Sequence, residues 1–295
     1  MTFGSGGQRS NPLSYGWKRA GGKTGHAMVP CAVWTRNDAG MRWTHVEAPA
    51  MSNSPLRVLL TGAGGRIGPH ILTAFRERFD LRLLDRTPVD APEPTLIADL
   101  SDQDVLENAM AGIDVVVHLA ATSDEAPFVE QLLPANIVGM VHLLGAAKQT
   151  GVRRVVFAST VQTVGNYPPG VTIRASDPPR PVTHYGCTKA FGEVLGRYYH
   201  DAFGLEFVAV RIGWFHPYDS PLLRTSQGAR DLWLSPRDAA GILAAAADQP
   251  NVGYAVVNAT SVTEFERLSR TECREVLGYH PVDDIAGIPN KVPTD

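Results

Sequence analysis

The stretch Leu56–Gly68 reads LRVLLTGAGGRIG and joins an apolar run to a cluster of glycines. The apolar residues predict a strand over Leu56–Thr61 that is buried in a parallel sheet. The residues from about Ile67 to Phe79 predict a helix. A glycine-rich turn between a strand and a helix is the context in which many proteins bind the pyrophosphate of a dinucleotide.

Each part of this turn has a predicted role in cofactor binding. Gly62 allows the tight turn, Gly65 lets the backbone approach a pyrophosphate, and Gly68 lets the helix pack close to the sheet. Arg66 and Ile67 open the helix, whose free N–H groups and dipole favour a phosphate. The alternative is a plain glycine-rich turn without a ligand.

Strands and helices alternate along the following residues. Further strands are predicted at Leu81–Asp85, Thr95–Ala98, Asp114–Leu119, Arg153–Ala158 and Leu205–Arg211. Helices are predicted at about Asp102–Ala111, Phe128–Thr150 and Val182–Phe203. This alternation predicts an α/β fold, namely a doubly wound parallel sheet (Rossmann fold) with right-handed crossovers.

Residues 55–285 are predicted to form a single NAD-binding Rossmann domain. From about residue 213 the pattern becomes shorter and mixed, with helices near Pro236–Asp248 and Val262–Leu277. We expect this part to form a small C-terminal substrate lobe over the strand ends, where ligands bind in such sheets. Residues 286–295 are expected to be a tail.

Residues 1–54 differ from the remainder in composition. They are rich in Gly, Ser, Arg and Trp and lack an apolar periodicity, so they are predicted to be a disordered extension. Met51 lies just before the first strand and is the expected native start. A natural flexible arm is the alternative.

The overall composition is that of a soluble enzyme. The net charge of −3 gives no sign of a nucleic-acid or membrane partner. The three cysteines form no CxxC pair, and His, Asp and Glu form no cluster with metal-ligand spacing, so no metal site is predicted. No stretch is judged apolar enough to span a bilayer, and a cytoplasmic location is expected.

Asp85 ends the second predicted strand, about twenty residues after the glycines, where a carboxylate can accept hydrogen bonds from the adenosine ribose. It would repel a 2′-phosphate, so NAD is favoured over NADP. Arg66 and Arg86 lie nearby and weaken this preference, because guanidinium groups pair well with phosphate. Asp99 either contacts the adenine edge or caps the helix that begins near Asp102.

Tyr185 and Lys189 are four residues apart in the segment YGCTK and therefore lie on one face of a helix. A phenol is a poor base near neutral pH, since its reference pKa is about 10. A nearby ammonium group and a positively charged nicotinamide favour the phenolate. Tyr185 is therefore predicted to be the general base, and Lys189 to hold the nicotinamide ribose as well.

The loop Phe157–Gly165 reads FASTVQTVG and follows the fifth predicted strand. Its hydroxyl groups could bind the substrate oxygen and orient it toward the tyrosine. Ser159 and Thr160 compete for this role, and their spacing alone does not choose between them.

Taken together and in this order, several motifs resemble the extended short-chain dehydrogenase/reductases, the family of NAD-dependent epimerases and dehydratases. They are TGxxGxxG, Asp85, Asp99-Leu100, His118-Leu119-Ala120-Ala121 and YxxxK. In that family the catalytic Ser or Thr lies five residues before the glycine of its loop, so Gly165 points to Thr160. The resemblance also implies cofactor contacts at Leu100, Leu119, Ala120, Ala121 and Ile212.

A narrower resemblance is to uronate dehydrogenases, through Ala135–Gly139, the segment around Tyr185, Arg211–Gly213 and Trp233–Ser235. The compact tail fits a small free sugar acid better than a nucleotide sugar. This resemblance implies substrate contacts at Ser123, Thr160 and Tyr185. It also implies contacts at Val161-Gln162, where uronate dehydrogenases have Asn-His, and at Trp214, where they have Ser. The arginine that binds the substrate carboxylate falls on Arg224, with Arg230 as the alternative.

The expected function is therefore NAD-dependent oxidation of a sugar or sugar acid, with a hemiacetal carbon oxidised to a lactone as in uronate dehydrogenases. One alternative is a nucleotide-sugar epimerase or dehydratase, or another carbonyl reductase of this fold. Another is a dinucleotide-binding regulator without catalysis. The partners expected are the small-molecule substrate and, as a possibility, further copies of the chain.

Overall fold

The computed structural model describes residues 32–37, 40–45 and 54–291. The chain divides into two units, residues 1–51 and 52–295. In the first unit, strands β1 (Ala32–Asn37) and β2 (Gly40–His45) pair antiparallel, with Ala32 opposite His45. The sequence analysis predicted no strand here, so the prediction of disorder is wrong for this pair. For the rest of residues 1–53, the prediction of disorder falls outside the described residues.

The second unit contains a sheet with helices on both faces. Its strands are β3 (Arg57–Thr61), β4 (Asp80–Asp85), β5 (Thr95–Ile97), β6 (Val115–His118), β7 (Arg154–Thr160), β8 (Glu206–Ile212) and β11 (Tyr254–Ala259). The main helices are α1 (Gly68–Arg76), α2 (Gln103–Met110), α3 (Gly139–Thr150), α4 (His184–Phe203), α7 (Pro236–Asp248) and α8 (Thr271–Leu277). Shorter elements are β9 (Trp214–Phe215), α5 (Leu222–Thr225), α6 (Gln227–Asp231) and β10 (Trp233–Leu234).

The seven strands are parallel and lie in the order β11-β8-β7-β6-β3-β4-β5. The order reverses between β3 and β6, which creates a crevice beyond the carboxyl ends of these strands. The register places Thr61 opposite His118 and Thr160 opposite Ile212, so the strand ends meet at one edge. The predicted doubly wound parallel sheet is confirmed.

The C-terminal part contributes to this sheet, which the sequence analysis did not predict. β11 pairs with β8 as a seventh strand, and α7, predicted with its observed bounds, packs against α1. The prediction of a helix over Val262–Leu277 is wrong in its first half, since α8 begins at Thr271. Residues 262–270 instead bond to a distant loop, because Ile173 N donates to the Arg267 carbonyl and its own carbonyl accepts from Ser269 N.

The predicted helix Phe128–Thr150 consists of two parts. Residues Phe128–Val138 are π-helical and contain Pro134, and α3 follows directly. Proline has no N–H to donate within a helix and clashes with the preceding turn, which favours the wider winding. The whole stretch is 23 residues long with a mean hydropathy of 1.3, so by length and composition alone it is apolar enough to cross a membrane. Core helices of soluble proteins can have the same length and hydropathy.

Two glycines allow α4 to pack close to the sheet. A Cβ atom at Gly192 would lie 2.5 Å from the Phe157 ring, and one at Gly196 would lie 2.3 Å from the Phe207 ring. Helix α4 carries both predicted catalytic residues, Tyr185 and Lys189. Its distance from β7 and β8 is therefore set by glycine–ring contacts.

These contacts predict that alanine substitutions in α4 and in α3 change the stability of the protein in opposite directions. Gly196→Ala should destabilise the protein by about 1–3 kcal/mol, because the ring of Phe207 has to move. Gly145→Ala on α3 is the matched control, since its Cβ would meet no heavy atom nearer than 4.0 Å, the Tyr199 hydroxyl. It should stabilise the protein by up to about 1 kcal/mol through helix propensity. Urea unfolding measures both, and equal effects would contradict the close packing.

Candidate active site

A cavity of about 950 Å³ opens beyond the carboxyl ends of the strands at the point where their order reverses. It is lined by almost all the residues that the sequence singled out. These are Gly62, Gly65, Arg66, Ile67, Asp85, Asp99, Leu100, Leu119, Ala120, Ala121, Ser123, Thr160, Val161, Gln162, Tyr185, Lys189, Ile212 and Trp214. Gly68 and Arg224 are not part of the lining.

The glycine turn brings backbone, rather than side chains, to the cavity. Gly62 has a φ of +73°, and a Cβ atom there would lie 2.5 Å from Ala120 N. Gly65 faces the cavity, where a Cβ would crowd the Gly62 carbonyl at 3.2 Å. Gly68 packs α1 onto the turn, because a Cβ there would lie 2.2 Å from the Ala63 carbonyl oxygen. The geometry fits the close approach of a pyrophosphate to this backbone.

The carboxylate of Asp85 is fixed at the edge of the same cavity. One oxygen accepts a hydrogen bond of 2.9 Å from Gly64 N, and the other accepts from the backbone and the hydroxyl of Thr87 at 3.1 and 3.2 Å. The acid is therefore held against the glycine turn. A ribose hydroxyl can bind at this position, and a 2′-phosphate would be repelled.

The structure decides between the two predicted roles of Asp99. The residue that caps α2 is Asp102, whose carboxylate accepts from Val105 N at 3.1 Å. Asp99 lines the cavity, and its side chain accepts a local hydrogen bond of 2.9 Å from Ser101 N. The capping alternative is wrong, and the position of Asp99 fits a contact to the cofactor.

Tyr185 and Lys189 are placed by the first turns of α4. Thr183 caps this helix, its hydroxyl accepting from Gly186 N at 2.9 Å. The Lys189 Nζ atom lies 5.7 Å from the centre of the Tyr185 ring and 4.7 Å from that of Phe157. The lysine is almost fully buried, and this burial lowers its pKa to about 7.

The pKa of Tyr185 is raised above its ordinary value by burial and by the nearby charge of Asp124, against a smaller opposing effect of Arg66. The phenol is therefore protonated in the cofactor-free protein. His118 stays neutral, because burial and the Lys189 charge lower its pKa to about 3. Its Nδ1 lies 2.7 Å from the hydroxyl of Thr61, which fits a structural role at the strand ends.

The structure separates the two candidate hydroxyl groups. Ser159 Oγ donates a 2.6 Å hydrogen bond to Glu193 Oε1, and that carboxylate also forms a buried ion pair with Arg211 at 2.8 Å. Both residues line the cavity, but Thr160 Oγ1 accepts only a longer bond of 3.3 Å from Gln162 N. Strand β7 extends through Thr160, so this residue ends the strand rather than following it. The geometry favours Thr160 as the residue that meets the substrate.

A loop that the sequence analysis considered only at Ser123 connects the two sides of the cavity. Asp124 forms an ion pair of 2.7 Å with Arg66 of the glycine turn. Glu125 accepts from Tyr185 N at 3.4 Å and lies 2.8 Å from His184 Nδ1. Asp124 has a positive φ of 62°. No local sequence signal indicated this bridge, because it joins residues about sixty positions apart.

The two arginines considered for binding a substrate carboxylate, Arg224 and Arg230, do not line the cavity. Arg224 is exposed on α5 and does not reach the lining. Arg230 is buried and bonded to Glu264 at 2.6 Å and to the Leu223 carbonyl at 2.8 Å. Neither arginine lines the cavity in this structure, and the assignment of an arginine to a substrate carboxylate stays a prediction.

Phe215 and His216 line the cavity beside Trp214 and were missed from the sequence. They follow the end of β8, where side chains of a parallel sheet reach the ligand crevice. The resemblance to uronate dehydrogenases indicated Trp214 only. Its position after the end of β8 would have indicated His216 as well, since residues two apart in an extended segment share a face.

Burial of the Lys189 ammonium predicts a pH-dependent stability. Its pKa is about 7 in the folded protein against 10.5 ordinarily, so the unfolded chain binds more protons between these values and stability rises with pH across this window. Lys189→Met should therefore raise the melting temperature of the cofactor-free protein, most at about pH 6 and least at about pH 10. Lys148→Met, at an exposed lysine, is the control. A difference for Lys189→Met that does not change with pH would contradict the burial of the charge.

Comparisons with known proteins agree with this geometry. The model of the NAD dependent epimerase/dehydratase family matches residues 58–218. The NAD-dependent glucose-6-phosphate dehydrogenase of Haloferax volcanii is 37% identical over 78% of this chain and 94% of that protein. The uronate dehydrogenase of Pseudomonas putida is 34% identical over 79% and 87%.

Solved structures show the same relationship. A uronate dehydrogenase mutant from Agrobacterium tumefaciens, complexed with NAD, has a TM-score of 0.73 and 33% identity over 79% of this chain and 87% of that one. The family predicted from the motifs, and the resemblance to uronate dehydrogenases, are confirmed. The family model and these relatives show that the chain belongs to the NAD-dependent epimerase/dehydratase family.

Proposed function

We propose that this chain oxidises the hemiacetal carbon of a sugar or sugar acid to a lactone, with NAD as the oxidant. The observation that carries the proposal is the meeting of Thr160, Tyr185 and Lys189 with the glycine turn in one cavity. The dehydrogenase names of the relatives support the same chemistry. The fixed carboxylate of Asp85 supports NAD rather than NADP.

The reaction removes a hydride from the sugar carbon and a proton from its hydroxyl. NAD, when bound, takes up the hydride at its nicotinamide ring. Thr160 orients the reacting hydroxyl by a hydrogen bond, and Tyr185 accepts the proton at its phenolic oxygen. Lys189 is close enough to interact with both the tyrosine and a cofactor ribose. The products are the lactone, the reduced cofactor and a proton.

The raised pKa of Tyr185 in the cofactor-free protein fits this mechanism. A buried phenol is protonated until positive charge enters its surroundings. A positive charge brought into the cavity, together with the Lys189 ammonium, favours the phenolate. The phenolate is therefore favoured when the cofactor is bound.

We also propose, from the sequence, that the enzyme is cytoplasmic and forms a homo-oligomer. A nucleotide-sugar epimerase of the same fold is the second chemical class to test. It would interconvert two sugars without a net change in cofactor absorbance. A dinucleotide-binding regulator would bind NAD and turn over no substrate.

A panel of aldoses, uronates and sugar phosphates with NAD or NADP tests the proposal directly. We expect reduction of NAD by at least one sugar and a slower reaction with NADP. In Tyr185→Phe the turnover should fall by about 10²–10⁴-fold, the contribution of a general base, while NAD affinity changes little. Tyr198→Phe, at an exposed tyrosine of the same helix, is the control. Full turnover by Tyr185→Phe would rule out the proposed base.

The two hydroxyl residues are separated by a second set of variants. Thr160→Val should lose most of the turnover, and Thr160→Ser should retain much of it because the hydroxyl survives. Ser159→Ala removes a bond to the buried Glu193 and should lower the melting temperature while the folded protein keeps most of its turnover. Steady-state kinetics and thermal unfolding measure both effects. An active Thr160→Val protein beside an inactive, folded Ser159→Ala protein would reverse the assignment.

A further inference from the structure

The loop of residues 122–126 connects the glycine turn to the helix that carries the catalytic tyrosine. On the side of the turn, the Asp124 carboxylate accepts a hydrogen bond of 2.7 Å from the Arg66 guanidinium. On the side of α4, the Glu125 carboxylate accepts from Tyr185 N at 3.4 Å. The loop therefore has two acidic contacts, one with each of the two elements that carry the site.

The start of this loop is fixed independently of Asp124. Thr122 N donates to Asn136 Oδ1 at 2.8 Å, and Asn136 Nδ2 donates to the Thr122 carbonyl at 2.9 Å. Asn136 is itself buried. The loop can therefore keep its course at Thr122 and at Glu125 when the contact between Asp124 and Arg66 breaks.

The ion pair of Arg66 and Asp124 is the weakest of these contacts. The two side chains are 63% and 55% exposed, and ion pairs as exposed as this one contribute little to stability. Asp124 also has a φ of +62°, a conformation that residues other than glycine adopt uncommonly, although Asp and Asn tolerate it. The pair can therefore exchange partners at a small cost in free energy.

Arg66 lies where a bound dinucleotide is expected to present its negative charge. It directly follows Gly65 in the turn, and Arg66 and Asp124 both line the cavity. A diphosphate carries two negative charges against the single charge of a carboxylate, and guanidinium groups bind phosphate oxygens through two parallel hydrogen bonds. A diphosphate held by the glycine turn is therefore a stronger partner for Arg66 than Asp124 is.

The other cationic side chains that line the cavity lie on other elements. Arg86 directly follows Asp85, which we expect to bind the adenosine ribose, and Lys189 lies on α4 beside Tyr185. Burial raises the pKa of the Tyr185 phenol, the Asp124 charge raises it further, and the Arg66 charge lowers it. The Arg66–Asp124 pair therefore lies in the glycine turn and within electrostatic range of the reacting phenol.

We propose that Asp124 holds Arg66 in the cofactor-free protein and that the diphosphate of the entering dinucleotide replaces this carboxylate on the guanidinium. Asp124 then competes with the cofactor and lowers its affinity. Binding of the dinucleotide frees the loop at Asp124, while Glu125 keeps it attached to α4. This inference rests on the binding of a dinucleotide and not on which sugar is oxidised.

The test measures the dissociation constant of ADP-ribose, which has the diphosphate but no nicotinamide, by calorimetric titration of the full chain. Asp124→Asn should tighten binding by about two- to fivefold, as expected when an exposed ion pair no longer competes with the ligand. Arg66→Gln should weaken binding by about tenfold or more, because a charge-assisted contact to phosphate is lost. Adenosine, which lacks the diphosphate, should bind Asp124→Asn and the unaltered protein equally.

A double-mutant cycle separates the exchange of partners from plain repulsion between Asp124 and the diphosphate. In the Arg66→Gln protein, the further change Asp124→Asn should alter the dissociation constant of ADP-ribose little, because the competition acts only through the guanidinium. Plain repulsion would tighten binding by the same factor whether or not Arg66 is present.

A second variant and a matched ion pair serve as controls. Asp124→Gly removes the carboxylate and places at the positive φ a residue that adopts it freely, so it should tighten binding as Asp124→Asn does. Arg197 and Asp201 form an ion pair of 2.8 Å with similar exposure, 57% and 54%, outside the cavity lining. Arg197→Gln and Asp201→Asn should leave ADP-ribose binding unchanged. Thermal unfolding without ligand checks that each variant is folded.

The inference is overturned if Asp124→Asn and Asp124→Gly leave ADP-ribose binding unchanged or weaken it. It is also overturned if adenosine gains as much affinity, or if the gain persists in the Arg66→Gln protein. If the unaltered chain binds neither ADP-ribose nor NAD, the assignment of the cofactor fails with it. The expected coupling in a chain that reduces NAD with no sugar would support the inference and remove only the proposed oxidation.

Discussion

The buried carboxylate of Glu193 holds the helix of Tyr185 and Lys189 to the two strands that carry the rest of the site. It accepts from Ser159 of β7 at 2.6 Å and pairs with Arg211 of β8 at 2.8 Å. Both charged side chains are almost fully buried. Removing one partner of such a pair typically costs about 3–5 kcal/mol, because the other charge is left buried and unpaired. The position of the reacting groups therefore depends on this contact.

The same contact determines which hydroxyl group is available. Ser159 lies beside Thr160 on β7, and its proton is directed to the carboxylate. The glycines of α4 act together with this ion pair, since they bring the helix close enough to the rings of Phe157 and Phe207. Polar and steric contacts thus fix one geometry, in which the Ser159 hydroxyl donates to Glu193 and the Thr160 hydroxyl does not.

Charged and titratable groups lie along the whole cavity. In the cofactor half, Asp85 is held by Gly64 and Thr87, and Lys189 is buried at a cost in stability that a bound ligand can offset. After the end of β8, Trp214 and His216 line the cavity, and burial and the nearby Arg66 charge lower the pKa of His216.

The sequence by itself determined the strand, the glycine turn and the helix at Leu56–Gly68, the doubly wound sheet, and the pairing of Tyr185 with Lys189. These features depend on residues that are close in the chain, so their spacing is enough to fix their geometry. The 3.6-residue period also placed α7 correctly at Pro236–Asp248.

Only the tertiary structure showed that the Ser159 hydroxyl donates to Glu193, that Asp102 rather than Asp99 caps α2, and that β11 is a seventh strand. The first and the last of these depend on partners that are distant in sequence, such as Glu193, which lies 34 residues after Ser159. The irregular course of residues 262–270 has the same origin, because their backbone bonds to Ile173 replace those of a helix. A local sequence pattern is compatible with more than one structure, and contacts with residues distant in sequence determine which one forms.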